Sequence, residues 1–232
     1  MHNLSDGLIW YIVFVYSTVC HEAGHAWSAM KLGDRTAYEG GQVSLDPTPH
    51  VRREPIGMVV VPIVSYLMNG WMMGWASAPY NPDWAGRYPR RAALMAMAGP
   101  AANLALVLAA AMLIRVGMEW GVFAAPGSVS MMRATEAVSE GVWTWLAAFL
   151  SVVFNLNLLL LCFNLLPLPP LDGCNIPLFF LSGSGARKYQ EFMTNPTLRL
   201  VGLVVAWNGF GKIFPTIQDV ALNLLYPGAG YG

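Results

Sequence analysis

Four long apolar runs set the terms for this chain: Leu8–Met30, Ala92–Ile114, Trp143–Leu166 and Leu198–Phe214. About 20 apolar residues in a helix cross the roughly 30 Å hydrocarbon core of a bilayer. The first three runs are long enough, and the fourth is shorter and interrupted by Asn208 and Lys212. Only 11% of the 232 residues are charged and 56% are hydrophobic, against about 25% charged in a soluble domain. The expectation is an all-α polytopic membrane protein. It would have about four transmembrane helices in contact with the lipid bilayer and a single domain over residues 1–232. A formal net charge of 0 leaves no basic footprint for nucleic acid. The three cysteines, Cys20, Cys162 and Cys174, lie in or beside apolar runs, and an odd number so placed argues against a disulfide framework. The first run lacks a basic leader and a clear small-residue cleavage site, so it reads as a retained helix.

Two stretches are less regular. Tyr38–Val51 (YEGGQVSLDPTPHV) mixes Gly and Pro with short alternation, which predicts strands and turns. Ile56–Pro79 is apolar but broken by Gly57, Pro62, Gly70 and Gly74. Basic residues flank it on both sides: Lys31, Arg35, Arg52 and Arg53 before, Arg87, Arg90 and Arg91 after. Cytoplasmic loops collect such residues, so both flanks belong on one side and 56–79 is expected to be re-entrant or interfacial. Residues 117–141 read as a loop, with a short amphipathic helix around Met131–Val138.

Inside the first run stands HEAGH, residues 21–25. On a helix His21 and His25 are four residues apart and share one face, so both imidazoles can ligate one zinc ion. Glu22 is then placed to take a proton from a water at the metal. Each ionisable group costs about 2.5–3.5 kcal/mol at the centre of a membrane helix, and three in five positions need a compensating role. Partnered structural histidines are the plainer alternative. Of the other histidines, His2 is terminal and His50 lies in the Gly/Pro segment. The acid in PLPPLDG, Asp172, is a better third ligand than these histidines, although a helix-end turn is the better account of that motif taken alone. Topology favours the ligand: His21 lies nine residues before Met30, about 14 Å from the cytoplasmic end at 1.5 Å per residue. The run that precedes Asp172 returns to the same side if 56–79 does not cross.

These residues resemble the site-2 proteases, intramembrane zinc metalloproteases, in the compact form without PDZ or CBS modules. The matches are HEAGH at 21–25, AGPAAN at 98–103 and NLLPLPPLDG at 164–173, in that order and spacing. The resemblance implies one Zn2+ held by His21, His25 and Asp172, with Glu22 as general base and then general acid. It implies that Asn103 contacts substrate or a developing oxyanion; a hydrogen bond between helices is an equal alternative. Asn164 would cap broken backbone or position the strand that carries Asp172. The 38–51 segment resembles a membrane-associated β-hairpin whose free edge takes an unwound substrate by strand addition. The implied substrate is a single-pass membrane protein, such as an anti-sigma factor or a membrane-bound transcription factor precursor. The lack of an evident targeting segment fits a bacterial inner membrane, and the basic flanks put the expected active site toward the cytoplasm. Cys174 stands where many relatives have a second Gly, and reads as a spectator. Two rival functions remain at this level: a zinc-binding membrane transporter, and a non-cleaving pseudoenzyme that grips membrane helices.

Overall fold

Each long helix begins and ends on a local signal. In the computed structural model, which describes residues 3–232, α1 spans Leu4–Leu32. The carboxamide oxygen of Asn3 accepts from Ser5 N, and Gly33 at φ +104° closes the far end by donating to Ala29 O and Met30 O. Helix α6 (Pro89–Glu119) opens on a proline whose missing N–H would be unbonded there anyway. Helix α7 (Val142–Asn164) stops short of the prolines 167, 169 and 170. Helix α9 (Pro196–Leu225) starts where Asn195 accepts from the N–H groups of Thr197 and Leu198. These four are long and apolar enough to cross a membrane, as expected of a multi-pass membrane protein. His2 lies outside the described residues.

The last span runs well past Phe214 because Pro215 does not end it. In a membrane helix, neighbouring groups can satisfy a backbone carbonyl freed by proline. Beyond it, Gln218 Nε2 donates to Asn155 Oδ1 on α7 at 2.9 Å and ties the polar end of α9 inward.

Between α1 and α6 the chain forms short pieces: α2 (Thr36–Glu39), α3 (Pro47–Arg53), a π-helical turn (Ile56–Val60), α4 (Val61–Asn69) and α5 (Pro82–Arg87). This corrects the hairpin expected at 38–51. Gly40 and Gly41 follow the end of α2, and Asp46 caps Thr48 N at 2.9 Å with Pro47 at the first helical position of α3. The same Gly and Pro residues that suggest turns between strands here mark helix ends. The protein does have a two-stranded antiparallel sheet, but it pairs β1 (Phe123–Ala124) with β2 (Glu136–Ala137). The helix expected around Met131–Val138 is absent among the described residues: Ser151 Oγ accepts from Ala134 N and Thr135 N and holds that loop extended on α7.

The Ile56–Asn69 helix is 14 residues, about 21 Å, too short to cross. Gly70, at φ +77°, turns the chain, which comes back through residue 81 without regular secondary structure. Trp75 N then donates to Gly57 O at 3.2 Å, so the segment leaves at the level where it entered. Gly74 packs so closely on Gly57 and Phe14 that no Cβ fits there. Asp34 pins the base of this excursion. Its carboxylate is 4% exposed and accepts from Thr36 N, Thr36 Oγ1 and Asn81 N. Hydrogen bonds to a charged group contribute about 1.5–3 kcal/mol each. Asp34→Ala is therefore expected to lower the melting temperature of detergent-purified protein by several degrees with its metal content unchanged. Equal melting curves would show that Asp34 does not hold the segment.

The ends of three elements meet on one side. Arg91 Nη1 donates to Leu32 O at 3.0 Å and Arg90 Nε donates to Phe179 O at 3.1 Å. The C-terminus of α1, the N-terminus of α6 and the chain following α7 are thereby neighbours. Deeper in, α1 and α6 cross closely at Gly24, where an added Cβ would lie 2.8 Å from Ala98 O. Two apolar clusters flank that crossing, one around Ile114, Phe154 and Leu222 and the other around Trp10, Phe14 and Met58.

Candidate metal centre

Three elements bring His21, Glu22, His25 and Asp172 together. α1 carries the first three on adjoining turns, all 7% exposed. The chain after α7 bends through PLPPL, and a 3-10 helix (Asp172–Phe179) begins at the aspartate itself. Asp172 Oδ2 stands 3.1 Å from His21 Nε2, and Oδ1 stands 3.4 Å from His25 Nε2. The two Nε2 atoms are 3.0 Å apart. Ligand atoms of His21, Glu22 and His25 all fall within 4.8 Å of one another.

The hydrogen bonds behind these rings show what the front faces are for. His25 Nδ1 is 2.8 Å from Met95 O, a carbonyl that can only accept. His21 Nδ1 is 2.6 Å from Asn103 Oδ1, which also only accepts. Both rings therefore carry hydrogen on Nδ1, and a neutral imidazole then has a bare lone pair on Nε2. Two lone pairs face each other at 3.0 Å beside a carboxylate oxygen, Asp172 Oδ2, that is buried with no donor. Among native structures such buried unsatisfied atoms call for an ion or water. One cation satisfies all three, and two imidazoles with one carboxylate are a donor set that fits zinc. A carboxylate serves as a metal ligand in its anionic form.

Gly99, from AGPAAN, completes the cradle. A Cβ built on it would collide with Nε2 of both His25 and His21. The bare glycine face of α6 thus forms the wall behind the metal position. Pro100 removes one N–H from the α6 ladder, and the turn before it supplies the Met95 carbonyl to His25.

Asn103 lies between helices, behind the His21 ring. It is 0% exposed and does not border the cavity in front of the histidines. Its oxygen accepts from His21 and its nitrogen donates to Asn157 Oδ1 at 2.8 Å. Of the two roles open to Asn103, these contacts are those of the hydrogen bond between helices, and it ends on the His21 ring. Asn164 borders the cavity and donates to Leu160 O on its own helix at 3.0 Å. Burial, and then the Asp172 charge, push the Cys174 thiol up to about 11, so it stays a thiol.

A cavity of about 1650 Å³ opens in front of Glu22. Its walls are the return segment 73–78, the α5 region with Arg87, the α8 helix (Gly183–Met193) with Arg187, and Leu203 and Trp207 of α9. It reaches the side where the ends of α1 and α6 meet.

The family model for peptidase family M50 matches residues 9–207. YwhC of Bacillus subtilis, provisionally named a zinc metalloprotease, is 33% identical over 166 residues, 71% of this chain and 65% of the relative. Rip2 of Mycobacterium tuberculosis, named in the same way, is 30% identical over 160 residues, 69% of this chain and 52% of the relative. The chain thus spans from about half to just under two thirds of the length of these relatives. No solved structure matches it.

Proposed function

Because the chain belongs to peptidase family M50, the site-2 proteases, we propose that it is a zinc endopeptidase that cuts a peptide bond in or near the transmembrane helix of a membrane-anchored regulatory protein. The observation that carries this reading is the pair of Nε2 lone pairs facing Asp172 beside Glu22. Bound zinc would polarise the scissile carbonyl and acidify a water. Glu22 takes the proton of the attacking water, whose oxygen bonds to the carbonyl carbon. As the C–N bond breaks, Glu22 hands that proton to the leaving amine. His21, His25 and Asp172 hold the metal, and Gly99 leaves room for it.

The substrate is a single-pass protein, such as an anti-sigma factor or a membrane-bound transcription factor precursor. Its helix must unwind, because helical peptide bonds are shielded by their own hydrogen bonds. The return segment beside Glu22 suits the unwound strand. Trp75 N and Ser77 O are tied inward, to Gly57 O and Gln42 Nε2. In an extended segment the backbone groups of 74, 76 and 78 would alternate with these and be open to a strand added from the cavity that the segment borders. This segment takes the part that the sequence suggested for 38–51. The basic residues at the mouth, Arg87 and Arg187, favour a cytoplasmic-facing site in a bacterial inner membrane.

The test is metal removal in liposomes. Purified protein is reconstituted with a single-span reporter carrying a Gly-Pro pair in its helix. Cleavage should stop after chelation, return with stoichiometric zinc, and be far slower for an all-Leu span. The chelated protein should also melt at lower temperature, since a ligand bound only by the native state stabilises it. Cleavage that persists in metal-free protein would overturn the reading.

A further inference from the structure

We infer that Asn157 and Ser17, acting through Asn103, are positioning residues that set the proton of His21 on Nδ1 and keep Nε2 bare for the metal. The inference rests on the zinc reading above. Its starting point is a backbone carbonyl. Asn157 Nδ2 donates to Val153 O at 2.8 Å and to Ser17 Oγ at 2.9 Å. Val153 O cannot donate, so the amide nitrogen of Asn157 must face its own helix and α1. The oxygen of Asn157 is then turned to α6, where Asn103 Nδ2 donates to it at 2.8 Å. With its nitrogen so engaged, Asn103 presents its oxygen to His21 Nδ1 at 2.6 Å. Each link admits one orientation once the link before it is fixed.

The alternative arrangement shows why orientation matters. An Asn103 amide turned over would aim an N–H at His21 Nδ1. A neutral His21 would have to accept there and move its proton to Nε2. That proton would occupy the position of the metal bond. The three polar residues that prevent this come from three helices: Ser17 on α1, Asn103 on α6 and Asn157 on α7, respectively 3%, 0% and 0% exposed. No water reaches them to repair a lost bond. Groups that orient metal-bound histidines in this way typically change metal affinity by about 10–100-fold when removed.

Asn155 supplies the control. It is also 0% exposed and lies two residues earlier on α7. Its amide serves Ser130 O, Met131 O and Gln218 and makes no connection to His21. The experiment measures zinc dissociation constants by chelator competition on the full detergent-purified chain, with the visible spectrum of the cobalt-loaded protein as a readout of coordination geometry. Asn157→Leu should bind zinc about 10–100-fold more weakly and shift the cobalt bands. Ser17→Ala should move both in the same direction by less, and Ser17→Thr, which keeps the acceptor oxygen, should restore them. Asn155→Leu, or Gln218→Leu if that variant fails to fold, should leave affinity and spectrum as in wild type. Wild-type values in Asn157→Leu would overturn the inference while leaving zinc in place. Equal weakening in the Asn155 or Gln218 variant would overturn it too, as general loosening. A wild-type chain that binds no stoichiometric zinc would bring down the zinc reading itself, and the inference with it.

Discussion

Glu22→Gln should reduce reporter cleavage by about 10³-fold or more while the purified protein still carries one zinc per chain. Positioned general acid–base groups contribute about 10²–10⁴-fold, and here one group serves both proton transfers. Gln keeps the size of Glu at a position that is 7% exposed, so packing against the neighbouring turns survives. It cannot accept the proton. In the proposed site His21, His25 and Asp172 supply three ligands, and a catalytic zinc needs its fourth position open. Metal analysis and cleavage rate on the same preparation decide the matter. A rate within tenfold of wild type would remove Glu22 from the chemistry. Zinc lost together with activity would make it a ligand instead. The same pair of measurements separates a protease from a transporter or a passive binder, for which a carboxamide at this position would change little.

Gly99→Ala should be nearly as severe, through geometry alone. One added methyl would collide with the Nε2 atoms of His21 and His25. Backing away is difficult for either helix, since α1 and α6 are in close contact at Gly24 and Ala98. Zinc affinity should fall by at least 100-fold, and cleavage with it, while the protein still inserts and purifies. Gly209→Ala on α9 is the comparison, because an added Cβ there meets nothing within 4 Å. It should bind zinc as wild type does. Normal zinc affinity in Gly99→Ala would mean that the metal sits elsewhere than between the two rings and α6.

The parts of the fold legible from sequence are those written locally. Three spans, the HEAGH helix and the return of 56–79 each follow from apolar length, charge or helical spacing within one segment. The segment 38–51 fails for a related reason: Gly and Pro announce interruptions but do not say whether helix or strand lies between them. Asp172 is legible because topology limits which acids can reach His21. Asn103 is legible as a polar group in a span, but not its partner, which lies 82 residues away on another helix. Gly99 carries no chemistry of its own and shows its role only when the rings are seen against it. Asn157 is a different omission. The cost argument that flags His21 applies in weaker form to an uncharged asparagine in α7, and a reading led by motifs passes it over.

The centre is assembled from residues far apart in the order of synthesis. His21 and Asp172 are 151 positions apart. At about 5–20 residues per second, the ribosome delivers the aspartate roughly 8–30 s after the histidine. For most of that interval the nascent chain has two imidazoles and a glutamate on a helix in lipid without the α7 amide, and throughout it without the proposed third ligand. On the proposed ligand set, metal capture would come late in biogenesis, and the proposed protease would stay inert toward neighbouring membrane proteins until its own insertion is nearly done.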